Sequence, residues 1–330
     1  MPTFSVIIPV YNRPEEVNEL LESLRNQTDL DMEVIVVEDG SEKTCQDIVE
    51  NFAGFITVFY HFIDNAGPGT ARNVGAAKSK GSWLLILDSD CILPSGYIAA
   101  VRAGIVTTGV EAFGGPDRAL DSFTPVQKAI NYAMTSFLTT GGIRGGKKKM
   151  DTFYPRSFNM GIQKEIFEQL GGFSKMRFGE DIDFSIRLYN AGCKVALFPE
   201  AFVYHKRRTD FRKFFKQVYN SGIARIHLYK KYPGSLKLVH CFPLALTLFL
   251  VVSVIALPWC GYGLALCLLY AFLMLVDATL RNKSIKVGML SVIASFVQLT
   301  GYGTGFLSGV WNRIICRKDE FAAFETTFYN

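Results

Sequence analysis

Residues 83–91 read WLLILDSDC, five apolar residues followed by two aspartates with one serine between them. Carboxylates are costly to bury unless a positive group meets them. In an extended chain, residues i and i+2 project to the same side. Asp88 and Asp90 can therefore hold one hard divalent cation together with phosphate oxygens, as Mg²⁺ sites do. Further acids stand at similar places. Glu38-Asp39 ends the run MEVIVVEDG, and Glu180, Asp181 and Asp183 open GEDIDFSIRL, where the helix dipole also favours acids. His205 ends AFVYH as the first polar residue of the basic segment that follows. A bare D-x-D also serves as a solvated turn. The chemical reading depends on whether these groups share one edge of the fold.

The surrounding elements supply that edge. FSVIIPVY (4–11), MEVIVVEDGS (32–41), ITVFYHFID (56–64) and WLLILDSD (83–90) are apolar runs stopped by turn residues or acids, the pattern of buried strands. Between the first two, Val17, Leu20, Leu21 and Leu24 recur at helical spacing after Pro14, which suits the first turn of a helix. NAGPGTARNVGAAKSKG is a Gly-rich loop leading into another helix. Strands alternating with helices predict an α/β fold with a mostly parallel central sheet. Ligands in such sheets bind at the carboxyl ends of the strands. Pro9-Tyr11, Glu38-Asp39 and Asp88-Asp90 then fall on one rim. Further on, 158–173 reads as a short strand, a helix and a Gly-Gly stop, 180–192 as a helix closed by Gly192, and 193–205 as extended chain.

The chain of 330 residues is 49% hydrophobic with net charge +5, but both quantities are unevenly placed. Residues 206–237 carry ten Lys/Arg against Asp210, a local +9 that leaves −4 for the rest. Phe211, Phe214, Phe215, Val218, Gly222, Ile226 and Tyr229 fall near one helical face of this segment, an interfacial-helix signature. Residues 241–276 then contain no charged side chain, enough for two spans of about 20 residues, with Pro258, Gly261 and Gly263 at the turn. A basic segment beside apolar spans points to anionic membrane lipids and not to nucleic acid. Lys230, Lys231 and Lys237 before the hairpin and Arg281, Lys283 and Lys286 after it place both its ends in the cytoplasm. A third uncharged run, 287–311, carries Gly301, Gly305 and Gly309, two overlapping GxxxG spacings that form a close-packing face. Arg313, Arg317 and Lys318 conflict with a third crossing, so this segment reads either as re-entrant or interfacial, the reading favoured here, or as a span at which the charge rule fails. The expected domains are 1–205, a catalytic α/β domain; 206–237, a basic interfacial segment; and 238–330, a membrane region with a hairpin at about 239–257 and 261–280. FSVIIPVY begins without a basic n-region or cleavage site, so no signal peptide is read. The seven cysteines form no CxxC pair, which suits a reducing compartment and neither a zinc site nor a disulfide framework.

Taken in order, SVIIPVYNRPEEVNELLESLRNQ, EVIVVEDGS, NAGPGTARNVGA, LLILDSD, FNMGIQKEIFEQLGGF and GEDIDFSIRLYNAG resemble the signatures of family 2 glycosyltransferases over about residues 4–205. That resemblance implies the glycosyltransferase A fold and inverting transfer of a sugar from a nucleotide-diphosphate donor, a UDP-sugar favoured, assisted by Mg²⁺ or Mn²⁺. It places Pro9, Tyr11, Glu38 and Asp39 at the base and ribose, with Asp39 the safer of the two acids because the family often has Asp-Asp there. Gly69, Arg72, Asp88 and Ser89 fall beside the donor, where a guanidinium can offset diphosphate charge. Asp90, with Asp88 and His205, matches metal-ligand positions. Asp181 matches the base that activates the acceptor, with Asn159, Met160 and Glu180 on the acceptor side. The Q-x-x-R-W element of processive synthases is absent, which favours adding one sugar per encounter.

Two other motifs fail. Gly141 to Lys147 mimics a phosphate-binding loop, but Lys148 stands where Ser or Thr must reach Mg²⁺, and it reads as a flexible basic loop near the acceptor. GPGTAR lacks the last glycine of a dinucleotide fingerprint. The expected protein is thus a multi-pass enzyme of the cell inner membrane with a cytoplasmic catalytic domain, acting on a lipid-linked or cell-surface glycan precursor. A polyprenyl-phosphate glycosyl synthase is the alternative of the same class. A sugar-phosphate nucleotidyltransferase should carry a Gly-rich loop after the first strand, where YNRPEE stands, and a non-catalytic scaffold is the third possibility.

Overall fold

The computed structural model describes residues 3–120, 122–140, 153–176 and 178–318, which divide into two compact units: 3–118 with 153–205, and 119–140 with 206–318. The loop at 141–151 lies outside the described residues.

The first unit opens with β1 (Phe4–Val10), α1 (Pro14–Arg25), β2 (Met32–Asp39), α2 (Gln46–Phe52), β3 (Val58–Ile63), α3 (Pro68–Lys78) and β4 (Trp83–Leu87). It continues with β5 (Cys91–Ile92), α4 (Tyr97–Thr108), β6 (Ala112–Gly114) and β7 (Asp117–Arg118). The second unit begins with α5 (Pro125–Thr135) and α6 (Phe137–Thr140). The chain returns to the first unit for β8 (Asn159–Gln163), α7 (Lys164–Gln169), α8 (Glu180–Asn190), β9 (Val195–Leu197) and β10 (Val203–His205). Then follow α9 (Phe211–Lys231), α10 (Leu238–Ile255), α11 (Tyr262–Asn282) and α12 (Ile285–Val310), which a π-helical turn extends over Trp311–Ile315.

Seven strands form one sheet in the order β3-β2-β1-β4-β8-β6-β9. β8 runs antiparallel to both its neighbours, and the other pairs are parallel. The period of two along each strand divides the core. Val6, Ile8, Leu85 and Leu87 pack with Leu20, Leu21 and Leu24 of α1 and Tyr97, Ile98 and Val101 of α4. Ile7, Leu84 and Ile86 pack on the other face with Ala76 of α3 and Phe184 and Leu188 of α8. Continuous apolar runs are needed here because both faces are covered. α3 lies against β1 closely enough that a Cβ on Gly75 would stand 2.5 Å from Ile7 Cγ2. A small second sheet, β5-β10-β7, pairs His205 opposite Cys91.

Residues 119–140, expected with the catalytic domain, group with the C-terminal helices. Ala129, Ile130, Ala133 and Met134 of α5 bury against Phe214 and Val218 of α9 and Ala294 of α12. Among the described residues, three helices are long and apolar enough to cross a membrane: Leu238–Ile255, Tyr262–Asn282 and Ile285–Ile315. The GxxxG face of α12 packs on α9. A Cβ on Gly305 would lie 2.0 Å from Tyr219 O, and one on Gly301 2.6 Å from Val218.

Candidate active site

Parallel pairing of β1 with β2 and with β4 brings their carboxyl ends to one rim. Asp88-Ser89-Asp90 leaves β4 there, and each carboxylate meets a cation. Arg13 Nη1, in the turn after β1, pairs with Asp90 Oδ2, and His205 Nε2 lies 2.9 Å from Asp90 Oδ1. Asp88 Oδ1 accepts from Arg72 Nη2 at 2.7 Å. The partners that meet these carboxylates are thus two arginines and the imidazole of a histidine of the chain itself.

Asp90, Cys91 and His205 each offer a ligand atom within 4.8 Å of the others. The His205 ring stacks on Phe158 at 5.0 Å and 20°, and Cys91 Sγ lies 3.5 Å from Phe158 O. A carboxylate and an imidazole at hydrogen-bond distance suit a divalent cation of the Mn²⁺ type, and a thiol nearby softens the set. The residues present fit the metal that the resemblance implies. Asp88 is outside this group because its carboxylate turns to Arg72. Burial opposes the charge on Asp90, but His205 and Arg13 outweigh it and hold its carboxyl far below the usual range.

Arg72 joins two motifs. Its guanidinium, on α3, donates to Asp88 and, through Nη1, to Glu180 Oε1 at 2.8 Å. Gly179, at φ +86°, turns the chain into α8, and Asp181 follows with Oδ2 2.8 Å from Arg156 Nε. Burial, together with neighbouring Asp181, pushes Glu180 up to about 7 against the pull of Arg72. Asp183 turns inward to Ser174 and Arg187.

Several expected contacts take another form. Glu38 is wholly buried, accepting from Ser41 Oγ and from Cys45 N at 2.7 Å, so it shapes the loop after β2. Asp39, also buried, accepts from the N–H groups of Ala66 and Gly67 at 2.7 and 2.9 Å. It thereby fixes the entry to α3, where Gly67 takes φ +91°. Arg72, with a side chain only 4% exposed, is a brace between carboxylates and offers little surface to a diphosphate. Asn159 and Met160 are fully enclosed. Asn159 donates to Ala201 O and accepts from Tyr97 Oη, and Met160 sits in the core beside Ile86. They form the strand start beside the rim, with no surface for an acceptor. Pro9 is buried and Tyr11 half-buried at the end of β1, Ser89 is buried between the aspartates, and Gly69 lies beside Phe173 and Glu180.

Sequence reasoning missed Arg13, Cys91, Arg156 and Phe158. The first two stand next to rim residues already singled out, so extending the rim argument from acids to their neighbours finds them. Arg156 and Phe158 carry no local signal.

The family model for Glycosyl transferase family 2 matches residues 5–171, about half of the chain. The chain belongs to this family. It is 33% identical over 191 residues to an uncharacterized glycosyltransferase of Haemophilus influenzae, covering 56% of this chain and 61% of that one. Glycosyltransferase AglE of Haloferax volcanii is 26% identical over 274 residues, 78% of this chain and 83% of the relative. The chain spans less than two thirds of the Haemophilus protein's length. Among solved structures, mannosyltransferase PcManGT from Pyrobaculum calidifontis, in complex with GDP-Man and Mn²⁺, superposes with a TM-score of 0.64 at 16% identity over 94% of this chain and 88% of that one. The family 2 chain shares its fold, a mostly parallel α/β sheet with an antiparallel member.

Proposed function

We propose that this glycosyltransferase moves one sugar, with inversion, from a nucleotide-diphosphate sugar to a hydroxyl of a lipid-linked or cell-surface glycan precursor at the cytoplasmic face of the inner membrane. The observation that carries the reading is the Arg72 brace. It ties Asp88 of the donor motif to Glu180 of the acceptor motif, so the two halves of a displacement stand one guanidinium apart. Asp181, next in sequence to Glu180, takes the proton from the attacking hydroxyl. Arg156 Nε, 2.8 Å away, holds that carboxylate in place. Asp90 and His205 would hold the divalent cation, which supplies charge neutralisation on the departing diphosphate. The GDP-Man and Mn²⁺ held by PcManGT support the same pairing of donor and metal, and a UDP-sugar remains the expected donor.

Pro9 and Tyr11 line the nucleoside end, and Glu38 and Asp39 shape the loops around it. The apolar hairpin α10–α11 and the basic helix α9 support membrane attachment and thus a lipid-linked acceptor. The test is a panel of nucleotide sugars with full-length protein, Mg²⁺ or Mn²⁺, and released nucleotide as readout. Asp181→Asn should then lower kcat by about 10²-fold or more, the usual contribution of a general base, with donor affinity unchanged.

A second reading is favoured by Arg156. A guanidinium beside Asp181 is also suited to a lipid phosphate, which needs no base as acceptor. Full activity in Asp181→Asn with loss in Arg156→Gln would establish that polyprenyl-phosphate synthase chemistry instead.

A further inference from the structure

Helix Ile285–Ile315 has the length and composition of a membrane span, yet Arg313 in its last turn and Arg317 and Lys318 beyond it would then stand on the outer side. Contacts inside the C-terminal unit bear on this conflict. The hairpin is antiparallel, with Gly263 of α11 packed on Ser253 of α10 near the turn. At the start of α12, Gly288 lies against Leu275 and Thr279, in the last eight residues of α11. Fifteen residues later, Gly303 lies against Pro243, Leu244 and Thr247, in the first ten residues of α10. Both sets of partners stop short of the hairpin's turn, none of them lying beyond the middle of its helices by more than one residue. A helix advances about 22 Å over fifteen residues, so one aligned with the hairpin would have reached the turn. α12 instead runs across the hairpin.

Its companion helix points the same way. α9 runs beside α12 in parallel: Phe215 and Val218 meet Gly301, Tyr219 meets Gly305, and Ile223 and Ile226 meet Gly309. α9 exposes Arg212, Lys213, Lys216, Lys230 and Lys231 from one end to the other. A crossing α12 would draw these cations into hydrocarbon, where they are expensive and rare. On α12 itself the exposed large apolar residues Ile285, Met289, Ile293, Leu307, Trp311 and Ile314 repeat along one stripe. A one-sided apolar stripe coupled to a basic helix is what lies in an interface plane.

We propose that α12 does not cross the membrane. With α9 it forms a two-helix raft in the anionic headgroup layer on the side of the hairpin's ends, the α12 stripe toward the acyl chains and the α9 cations toward lipid phosphates. The chain then crosses twice, and Arg313, Arg317 and Lys318 stay on the cytoplasmic side with Lys230, Lys231 and Lys237. This rests on the cytoplasmic orientation proposed above.

Two native cysteines test it. Cys260 is exposed in the hairpin turn, and Cys316 is exposed just beyond α12. Full-length versions keeping one of these and serine at the other cysteine positions are expressed in bacterial cells and treated with a membrane-impermeant maleimide. The expected result is Cys260 labelled in intact cells and Cys316 labelled only after permeabilisation. Labelling of both in intact cells overturns the proposal while leaving the cytoplasmic catalytic unit standing. Labelling of Cys316 without Cys260 in intact cells overturns the orientation itself, and failure of Cys260 to label from outside overturns the hairpin. A C-terminal green fluorescent protein fusion reads the same end without thiol chemistry. Fluorescence is expected, and a dark full-length membrane protein refutes the raft.

Discussion

Replacing Arg72 by methionine keeps an unbranched side chain of similar reach and removes a guanidinium that holds two carboxylates. The consequence can be worked from exposure. Glu180, with a side chain 9% exposed, keeps a buried charge without its partner, while Asp88, at 31%, recovers much of its hydration from solvent. Stranding a buried charge costs about 3–5 kcal/mol, and a part-exposed one about 1 kcal/mol or less. Because Glu180 already titrates at about 7, losing Arg72 moves it higher, and it can escape part of the cost by taking a proton. Arg72→Met should therefore destabilise the catalytic unit by about 3 kcal/mol at pH 8 and by visibly less at pH 6. Adding Glu180→Gln should restore about 1–2 kcal/mol, since the stranded charge is then gone. Trp83, in the strand that leads into Asp88, is the natural reporter. Of three tryptophans in the chain, Trp259 and Trp311 lie in the C-terminal unit, and Phe at both leaves Trp83 alone. Urea titration of its fluorescence gives the four corners of a double-mutant cycle. Effects of the two substitutions that simply add, with coupling under about 0.5 kcal/mol, would refute the brace.

Arg13→Gln frees Asp90 of a half-exposed competing cation, so Mn²⁺ measured by electron paramagnetic resonance without donor should bind roughly 2–10-fold tighter; weaker binding would mean that Arg13 helps to build the site. Glu180 gives a pH signature. Its folded pKa, about 7, lies above its ordinary value of 4.5, so its contribution to stability is fully present below pH 4.5 and is lost as pH rises through 7, about 3 kcal/mol in all. Glu180→Gln should accordingly gain stability relative to the parent across that window, read by urea denaturation at successive pH values, and a gap that narrows from the other direction would contradict the raised pKa.

The buried strands and their shared rim were legible in the sequence because each depends on short-range facts. Continuous apolar runs ended by acids specify buried parallel strands, and parallel strands share one carboxyl edge. Val17, Leu20, Leu21 and Leu24, all buried in α1, follow from helical periodicity alone. Partner choice was not legible. Asp88 and Asp90 differ by two positions, yet Asp90 meets His205, 115 residues away, and Asp88 meets Arg72 on another helix. Glu38 and Asp39 carry the right chemistry for a ligand, but the loops around them consume it in backbone hydrogen bonds, which no pattern along the chain announces. The apolar run 287–311 shows the same division. Its composition by itself permits a membrane span, because hydropathy counts side chains and not neighbours. Only the tertiary structure shows it crossing the hairpin with a basic helix at its side, and the cost of placing those cations in lipid depends on that neighbour. The sequence by itself determined the family 2 sheet, its acidic rim and the apolar C-terminal helices. Which acid stands beside His205 and which is braced by Arg72 was decided by packing, because charge is stabilised by what stands next to it in space.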